Sequence, residues 1–250
     1  MPRIPRKDLK SKYFHVIVQG IEKRYIFEKY RYKEKYKKLL FENLKKYNVK
    51  LLSYCIMDNH SHMIIYSELI EELSRYMKSV NTSFGLYYNK VTNRVGYVFR
   101  GRFESLPIYN LLHLHRVLTY IHLNPVVAEI CNRPEMYYFS SYNDFMNNSS
   151  FAREETWQLL KLNMQNRVEV FKFMHYMRVE SLNEEKNNKQ NNINERIEKY
   201  IKDNDIKDII FQSDKVRKMI NELKKENISF SKIAKFLGIK NKRLKEIISE

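Results

Sequence analysis

The stretch from Val49 to Tyr66 constrains this chain more than any other. Val49-Lys50-Leu51-Leu52-Ser53-Tyr54-Cys55-Ile56 and Met63-Ile64-Ile65-Tyr66 are rich in β-branched, aromatic and apolar residues, and Asp58-Asn59 supplies turn chemistry between them. The pattern predicts a β-hairpin with His60 and His62 on its second strand. Side chains two apart on a strand project from one face, about 6 to 7 Å apart along it, so both imidazoles share a surface and Ser61 faces the core side. Two neutral imidazoles so placed can chelate one divalent ion. The spacing alone is equally compatible with two half-exposed histidines.

Charge narrows the class of partner. The 250 residues hold 46 Lys and Arg against 29 Asp and Glu, a net charge of +17 that concentrates polyanions around the protein. Nucleic acid is the default partner, and a lysine-rich surface serving solubility is the bland alternative. A hydrophobic fraction of 43% is ample for a core and excludes wholesale disorder. Cys55 and Cys131 are far apart in sequence, which indicates neither a disulfide framework nor a cysteine zinc site. They read as small buried hydrophobes in a reducing cytoplasm. No 18-residue apolar run occurs and no apolar signal segment follows Met1, so the expectation is an intracellular protein of the cytoplasm, near the nucleoid, with no membrane contact.

Taken in order, Tyr13 to Gln19 reads as a first strand closed by Gly20. An amphipathic helix follows over about 32–46, with Tyr36, Leu39, Leu40 and Leu44 on its core face. After the hairpin a second helix is expected over about 70–88, with Leu73, Met77, Val80, Phe84 and Tyr88 on one stripe. The segment Gly96 to Ser105 reads as a loop or edge entering a strand that Pro107 ends. A third helix is expected over about 110–123, stopped by Pro125. The fold class is α+β: the split βαβ order of a ferredoxin-like antiparallel sheet with helices on one face, the histidines on an interior strand, and the last helix available to lie across them.

That third helix carries Tyr120 and Asn124, four apart and therefore on one face. A phenolic oxygen, a carboxamide and two imidazoles converging on one point would make a phosphoryl-transfer site in which tyrosine attacks phosphorus. At these residues the sequence resembles the HUH single-tyrosine transposases, in their REP-associated and insertion-sequence-200-like branch. The matching stretches, in the family's order within roughly residues 1–145, are Tyr54-Cys55-Ile56-Met57-Asp58-Asn59-His60-Ser61-His62, Gly96-Tyr97-Val98-Phe99-Arg100-Gly101-Arg102-Phe103, Tyr120-Ile121-His122-Leu123-Asn124-Pro125-Val126 and Ser140-Ser141-Tyr142. The resemblance implies that Tyr120 is the nucleophile and that His60, His62 and Asn124 hold a divalent metal. It also implies cleavage and rejoining of single-stranded DNA at hairpin-associated sites through a 5′-phosphotyrosine. Mixed nitrogen and oxygen ligation suits Mg²⁺ or Mn²⁺, the histidines favouring Mn²⁺, with zinc left open. Ser61 departs from the family's bulky hydrophobic residue at that position.

Arg100 and Arg102 flank a glycine that lets a phosphate approach the backbone, and Arg3 and Arg6 lie on a proline-stiffened arm; all four are candidate DNA contacts. His113, His115 and His122 read as structural or solvent histidines. Tyr87, Tyr88, Tyr97, Tyr137 and Tyr138 could stack on bases but fit a core better.

The domain expectation is a transposase and nuclease domain over 1–150, a helical connector around 157–177 with a flexible polar linker ending at 212, and a C-terminal module over 213–250. That module carries 11 basic against 5 acidic residues. Its apolar spacing, with Ser229 before a short helix and Gly238 as a left-handed stop, resembles a helix-turn-helix. Lys240, Asn241, Lys242, Arg243 and Lys245 then begin or line a recognition helix able to bind duplex DNA, the alternative being a small helical bundle for protein contacts. The leading functional expectation is a metal-dependent single-strand DNA transferase, a monomer or homodimer. The alternative is a catalytically silent DNA-binding regulator derived from one.

Overall fold

The computed structural model describes residues 11–147, 149, 151, 154–162, 164–206, 212–247 and 249. The chain divides into two compact units, Met1–Val179 and Glu180–Glu250.

The first unit is built on four strands, β1 (Tyr13–Gln19), β2 (Val49–Ile56), β3 (His60–Ser67) and β4 (Glu104–Ile108). They form one sheet in the order β2-β3-β1-β4 with antiparallel pairing throughout. With α1 (Tyr30–Glu42) between β1 and β2 and α2 (Ile70–Thr92) between β3 and β4, this is the expected α+β order, with the histidine strand inside the sheet.

Alternation sorts each strand between two cores. Phe14, Val16, Val18, Met63 and Ile65 point to one face, where α1 and α2 cover them with Tyr36, Leu40, Leu73, Met77 and Phe84. This is the helical layer expected from the sequence. The other face carries His15, Ile17, His60, His62 and Ile64, and there α3 (Leu111–Val127) packs Leu114, Val117, Leu118 and Ile121 against Leu52, Cys55 and Ile64. The β2–β3 register shifts between Leu51 and Ser53, a bulge that keeps both Leu52 and Ser53 on the α3 side.

Two prolines behave differently from expectation. Pro107 does not end β4; it pairs with Phe14, and Ile108 continues the ladder, because β4 is an edge strand with one free side. Pro125 lies inside α3, which runs on to Val127. In the last turn the missing N–H removes a single bond, and the backbone N–H groups of Ala128 and Ile130 still close on the carbonyls of Asn124 and Pro125. Asn110 caps the start of α3, its side chain accepting from the His113 backbone N–H at 2.8 Å.

After α4 (Tyr142–Met146) and α5 (Glu154–Leu159), α6 spans Arg167–Asp203. The polar run Asn183 to Asn192, expected as a flexible linker, is therefore helix. In the second unit α7 (Ser213–Lys225), α8 (Phe230–Phe236) and α9 (Asn241–Ile247) gather Val216, Met219, Leu223, Ile233, Ala234 and Leu244 around Ile197 of α6. Gly238, at φ +68°, makes the left-handed turn between α8 and α9 that a side chain would strain.

Candidate active site

Met57–Asn59 join β2 to the histidine strand β3, with the Met57 N–H donating to the His60 carbonyl at 2.8 Å. Asp58 in this turn is paired with the nearly buried Lys33 at 2.5 Å, which ties the turn to α1. The His60 and His62 rings stand 4.9 Å apart, centroid to centroid. Each has its Nδ1 engaged: His60 with Asn59 Oδ1 at 2.5 Å, His62 with His15 Nε2 at 3.0 Å. Both therefore keep Nε2 for a ligand. Burial lowers the pKa of His60 against the opposing pull of Asp58. Burial, reinforced by His60 and His15, takes His62 down to about 2. Both rings are neutral at neutral pH, the form in which imidazole ligates.

His15 is a site residue that the sequence reading passed over as part of a strand. It sits on β1 opposite Ile64, which places it diagonally across from His62 on the same face. Burial, with a smaller contribution from His113, lowers its pKa to about 4, so the His15–His62 pair is neutral on both sides. The alternation of β1 carried the signal for its face, but only the pairing register shows which side chain it meets.

Above this pair stands Tyr120, half exposed on α3. Its ring meets His62 edge-on at 5.4 Å and His15 at 5.9 Å. Asn124 is one turn further along; its Nδ2 donates to the Tyr120 carbonyl at 2.9 Å, which leaves Oδ1 as an acceptor. Among the described residues no group of three or more histidine, cysteine or carboxylate side chains could hold a metal. A divalent ion here would rest on the two Nε2 atoms, with oxygen donors completing the shell. The two engaged Nδ1 atoms fit that role, since a ring ligating through Nε2 carries its proton on Nδ1.

His60 and His62 line a cavity of about 430 Å³ together with Ile17, Gln19 and the segment Phe99 to Glu104. Arg100 and Arg102 are both exposed on its rim, and the Arg100 backbone N–H donates to the Gln19 carbonyl at 2.8 Å. The structure thus brings Tyr120 to His62, and Arg100 and Arg102 to the histidine cavity. Arg3 and Arg6 lie outside the described residues. Lys240, Lys242, Arg243 and Lys245 are exposed at and beyond the start of α9, Arg243 pairing with Glu246 at 3.3 Å. Of the other histidines, His122 is fully buried and His115 bonds the Leu160 carbonyl at 2.9 Å, both structural as expected.

The fold and this site define an α+β domain with a histidine pair on an inner strand and a helix-borne tyrosine over it. Residues 8–124, which carry the sheet, both histidines, Tyr120 and Asn124, match the family described as Transposase IS200 like. No curated protein matches the chain. Among solved structures, the REP-associated tyrosine transposase bound to a REP hairpin is similar in fold at 15% identity and a TM-score of 0.50, covering 59% of this chain and 86% of that one. A transposase candidate from Deinococcus radiodurans R1 aligns at 11% identity and a TM-score of 0.32, over 48% of this chain and 95% of that one. No helix among the described residues is long and apolar enough to cross a membrane.

Proposed function

We propose that this transposase-family chain cuts and rejoins single-stranded DNA through a phosphotyrosine at Tyr120. The observation that carries the reading is the Tyr120 ring placed 5.4 Å from His62, at a pair of neutral imidazoles beside an arginine-rimmed cavity. The Tyr120 oxygen attacks the phosphorus, and the bond from phosphorus to the 3′ oxygen breaks. The product is a 5′-phosphotyrosine and a 3′ oxygen that leaves with a proton as a free hydroxyl. The reverse attack by a 3′-hydroxyl reseals the strand, so the cut bond is stored without a nucleotide cofactor.

His60 and His62 would hold Mg²⁺ or Mn²⁺ through Nε2, with the Asn124 Oδ1 as the third protein donor. When bound, the ion polarises the phosphate oxygen and offsets the charge that develops on it. His15 acts through His62: accepting the Nδ1 proton, it fixes the tautomer whose Nε2 lone pair faces the cavity. Arg100 and Arg102 position the phosphodiester. Tyr120 stands over histidines of its own chain, which favours cleavage in cis. The hairpin bound in the solved relative supports a hairpin-flanked strand as the substrate.

The C-terminal unit would engage duplex DNA through phosphates contacted by Lys240, Lys242 and Arg243. Replacing all three with Gln should reduce the salt dependence of duplex binding by about 2 to 3 in the log–log slope. An unchanged slope would assign the module to protein contacts. The catalytic reading is tested with labelled hairpin-bearing strands from DNA flanking the gene. Wild type should form a denaturation-resistant adduct and Tyr120→Phe none, while DNA binding by the variant stays intact. An adduct with the Phe variant would move the nucleophile elsewhere. Binding without any adduct in wild type would favour the silent regulator.

A further inference from the structure

A second cavity, of about 770 Å³, runs between α2 and the segment Gly96 to Phe103. Its α2 side is one helical stripe, including Met77, Lys78, Asn81, Gly85 and Leu86. Its other side includes Tyr97, expected in the core but 86% exposed in the structure; Leu86 opposite is 70% exposed. The loop holds this shape through Gly96 and Gly101, at φ +100° and +109°, a backbone region that side chains rarely enter. Asn89 fastens it by donating to the Gly96 carbonyl at 2.8 Å. The cavity adjoins the histidine cavity: Asn81, Phe99, Gly101, Arg102 and Phe103 line both.

Gly85 is the telling residue. It lies mid-helix, where glycine costs roughly 1 kcal/mol relative to alanine. A Cβ added there would meet only Val98 Cγ2, at 3.9 Å, so packing does not demand a glycine. What its absent side chain leaves is open groove. The charges that line the groove, Lys78 and Arg102, are both cationic, and Arg100 continues them along the adjoining cavity rim. Cations following a track beside an exposed tyrosine and an aliphatic wall are the chemistry that holds unpaired nucleotides, the phosphates on the cations and the base faces on the ring.

We propose that the groove between α2 and residues 96–103 is a nucleobase site, which takes one or two unpaired bases of the strand whose phosphate lies at Tyr120, with Tyr97 as the stacking platform. The proposal rests on the single-strand DNA reading above and adds to it where the neighbouring bases are gripped. It gives Tyr97, Leu86 and Gly85 a role in substrate choice, distinct from the chemistry.

The test compares two fluorescent strands of equal length and charge, an oligothymidine and its abasic counterpart, by anisotropy with the full-length protein. Wild type should prefer the strand with bases by about ten-fold or more, the size expected of base stacking on an aromatic ring. Tyr97→Ala should remove most of that preference and leave abasic-strand affinity unchanged. Gly85→Leu, which fills the groove without deleting any contact, should do the same. A preference that survives both substitutions overturns the proposal, even where adduct formation at Tyr120 is normal. Failure of wild type to bind either strand overturns the DNA reading itself, and the groove proposal with it. A change from dimer to monomer in sedimentation for Gly85→Leu, with the base preference retained, would make the groove a subunit interface and also overturn the proposal.

Discussion

Two histidine pairs are buried in the first unit, and they differ in what their last nitrogen meets. In one pair His122 Nδ1 lies 2.9 Å from His175 Nε2, and every other ring nitrogen is also engaged. His175 Nδ1 reaches the Phe171 carbonyl at 2.7 Å, and His122 Nε2 reaches the hydroxyls of Ser141 at 2.8 Å and Ser53 at 3.0 Å. With both rings neutral, the carbonyl fixes the whole chain of tautomers: His175 donates to it from Nδ1, accepts from His122 Nδ1–H, and His122 Nε2 accepts from a serine. Ser141 also accepts the Tyr54 backbone N–H at 3.0 Å, so the network fastens α3 to β2 and α6. In the other pair, His15 and His62 are joined at 3.0 Å, but His62 also lines an open cavity and meets the Tyr120 ring. A closed polar network is structure; an equally buried one that ends at a cavity has capacity left for a ligand.

The sharpest way to test this contrast is to remove one ring from each pair. His62→Ala should reduce adduct formation to background and weaken calorimetric Mn²⁺ binding, while the fold persists. His122→Ala should instead strand His175 Nε2 and a serine hydroxyl, costing about 1–3 kcal/mol of stability for each unpaired group, with adduct formation per folded molecule retained. Loss of Mn²⁺ binding in the His122 variant, or its full retention in the His62 variant, would erase the distinction.

His15 is the intermediate case. On the proposed role of orienting His62, replacement of His15 by Ala should cost about 10- to 100-fold in Mn²⁺ affinity or cleavage. His15→Gln offers a carboxamide oxygen to the same Nδ1 proton and should recover part of the loss. If Ala and Gln behave alike, His15 only fills space.

The sequence displayed His60, His62 and Tyr120 better than it displayed His15. His60 and His62 announce themselves by alternation within one strand, and Tyr120 with Asn124 by helical spacing. All four strands and the first two helices are legible for the same reason: their periodicities are local. His15 becomes a partner of His62 only through the β1–β3 register, and His175 lies 53 residues beyond His122 in sequence, on a helix where no local pattern marks it. The two prolines misled because their cost depends on position: Pro107 on an edge strand and Pro125 in a final turn each remove little. Tyr97 resisted reading because the exposure of an aromatic loop residue depends on what packs over it.

Acid should affect the closed pair through stability. Burial lowers the His175 pKa to about 4 from an unfolded value near 6.5, with His122 the ring that faces it and the Phe171 carbonyl opposing the shift. A lowered histidine pKa means that the unfolded chain binds the proton first. The contribution is fully present above about pH 6.5 and is lost as pH falls toward 4, by up to about 3 kcal/mol. Denaturant titrations across that window should show a shallower pH slope for His175→Gln than for wild type, by up to one proton. Parallel slopes would mean that His175 is charged in the native state.

Ser61 supplies the limiting case, a buried polar group with no network at all. It sits between the two histidines in sequence but on the opposite face of β3, fully buried, paired across the sheet with Val18 and Ile56, and its hydroxyl finds no hydrogen-bond partner. An unsatisfied buried hydroxyl costs more than it contributes, so Ser61→Ala should leave stability unchanged or raise it by about 1 kcal/mol. The substitution touches neither ring, because side chains on the two faces of a strand do not meet. Adduct formation and Mn²⁺ affinity should therefore equal wild type. A loss of either in Ser61→Ala, measured beside a normal denaturation curve, would show that the core face of β3 sets the histidine geometry, and would place the boundary between structural and functional polar groups one residue deeper than the hydrogen bonds draw it.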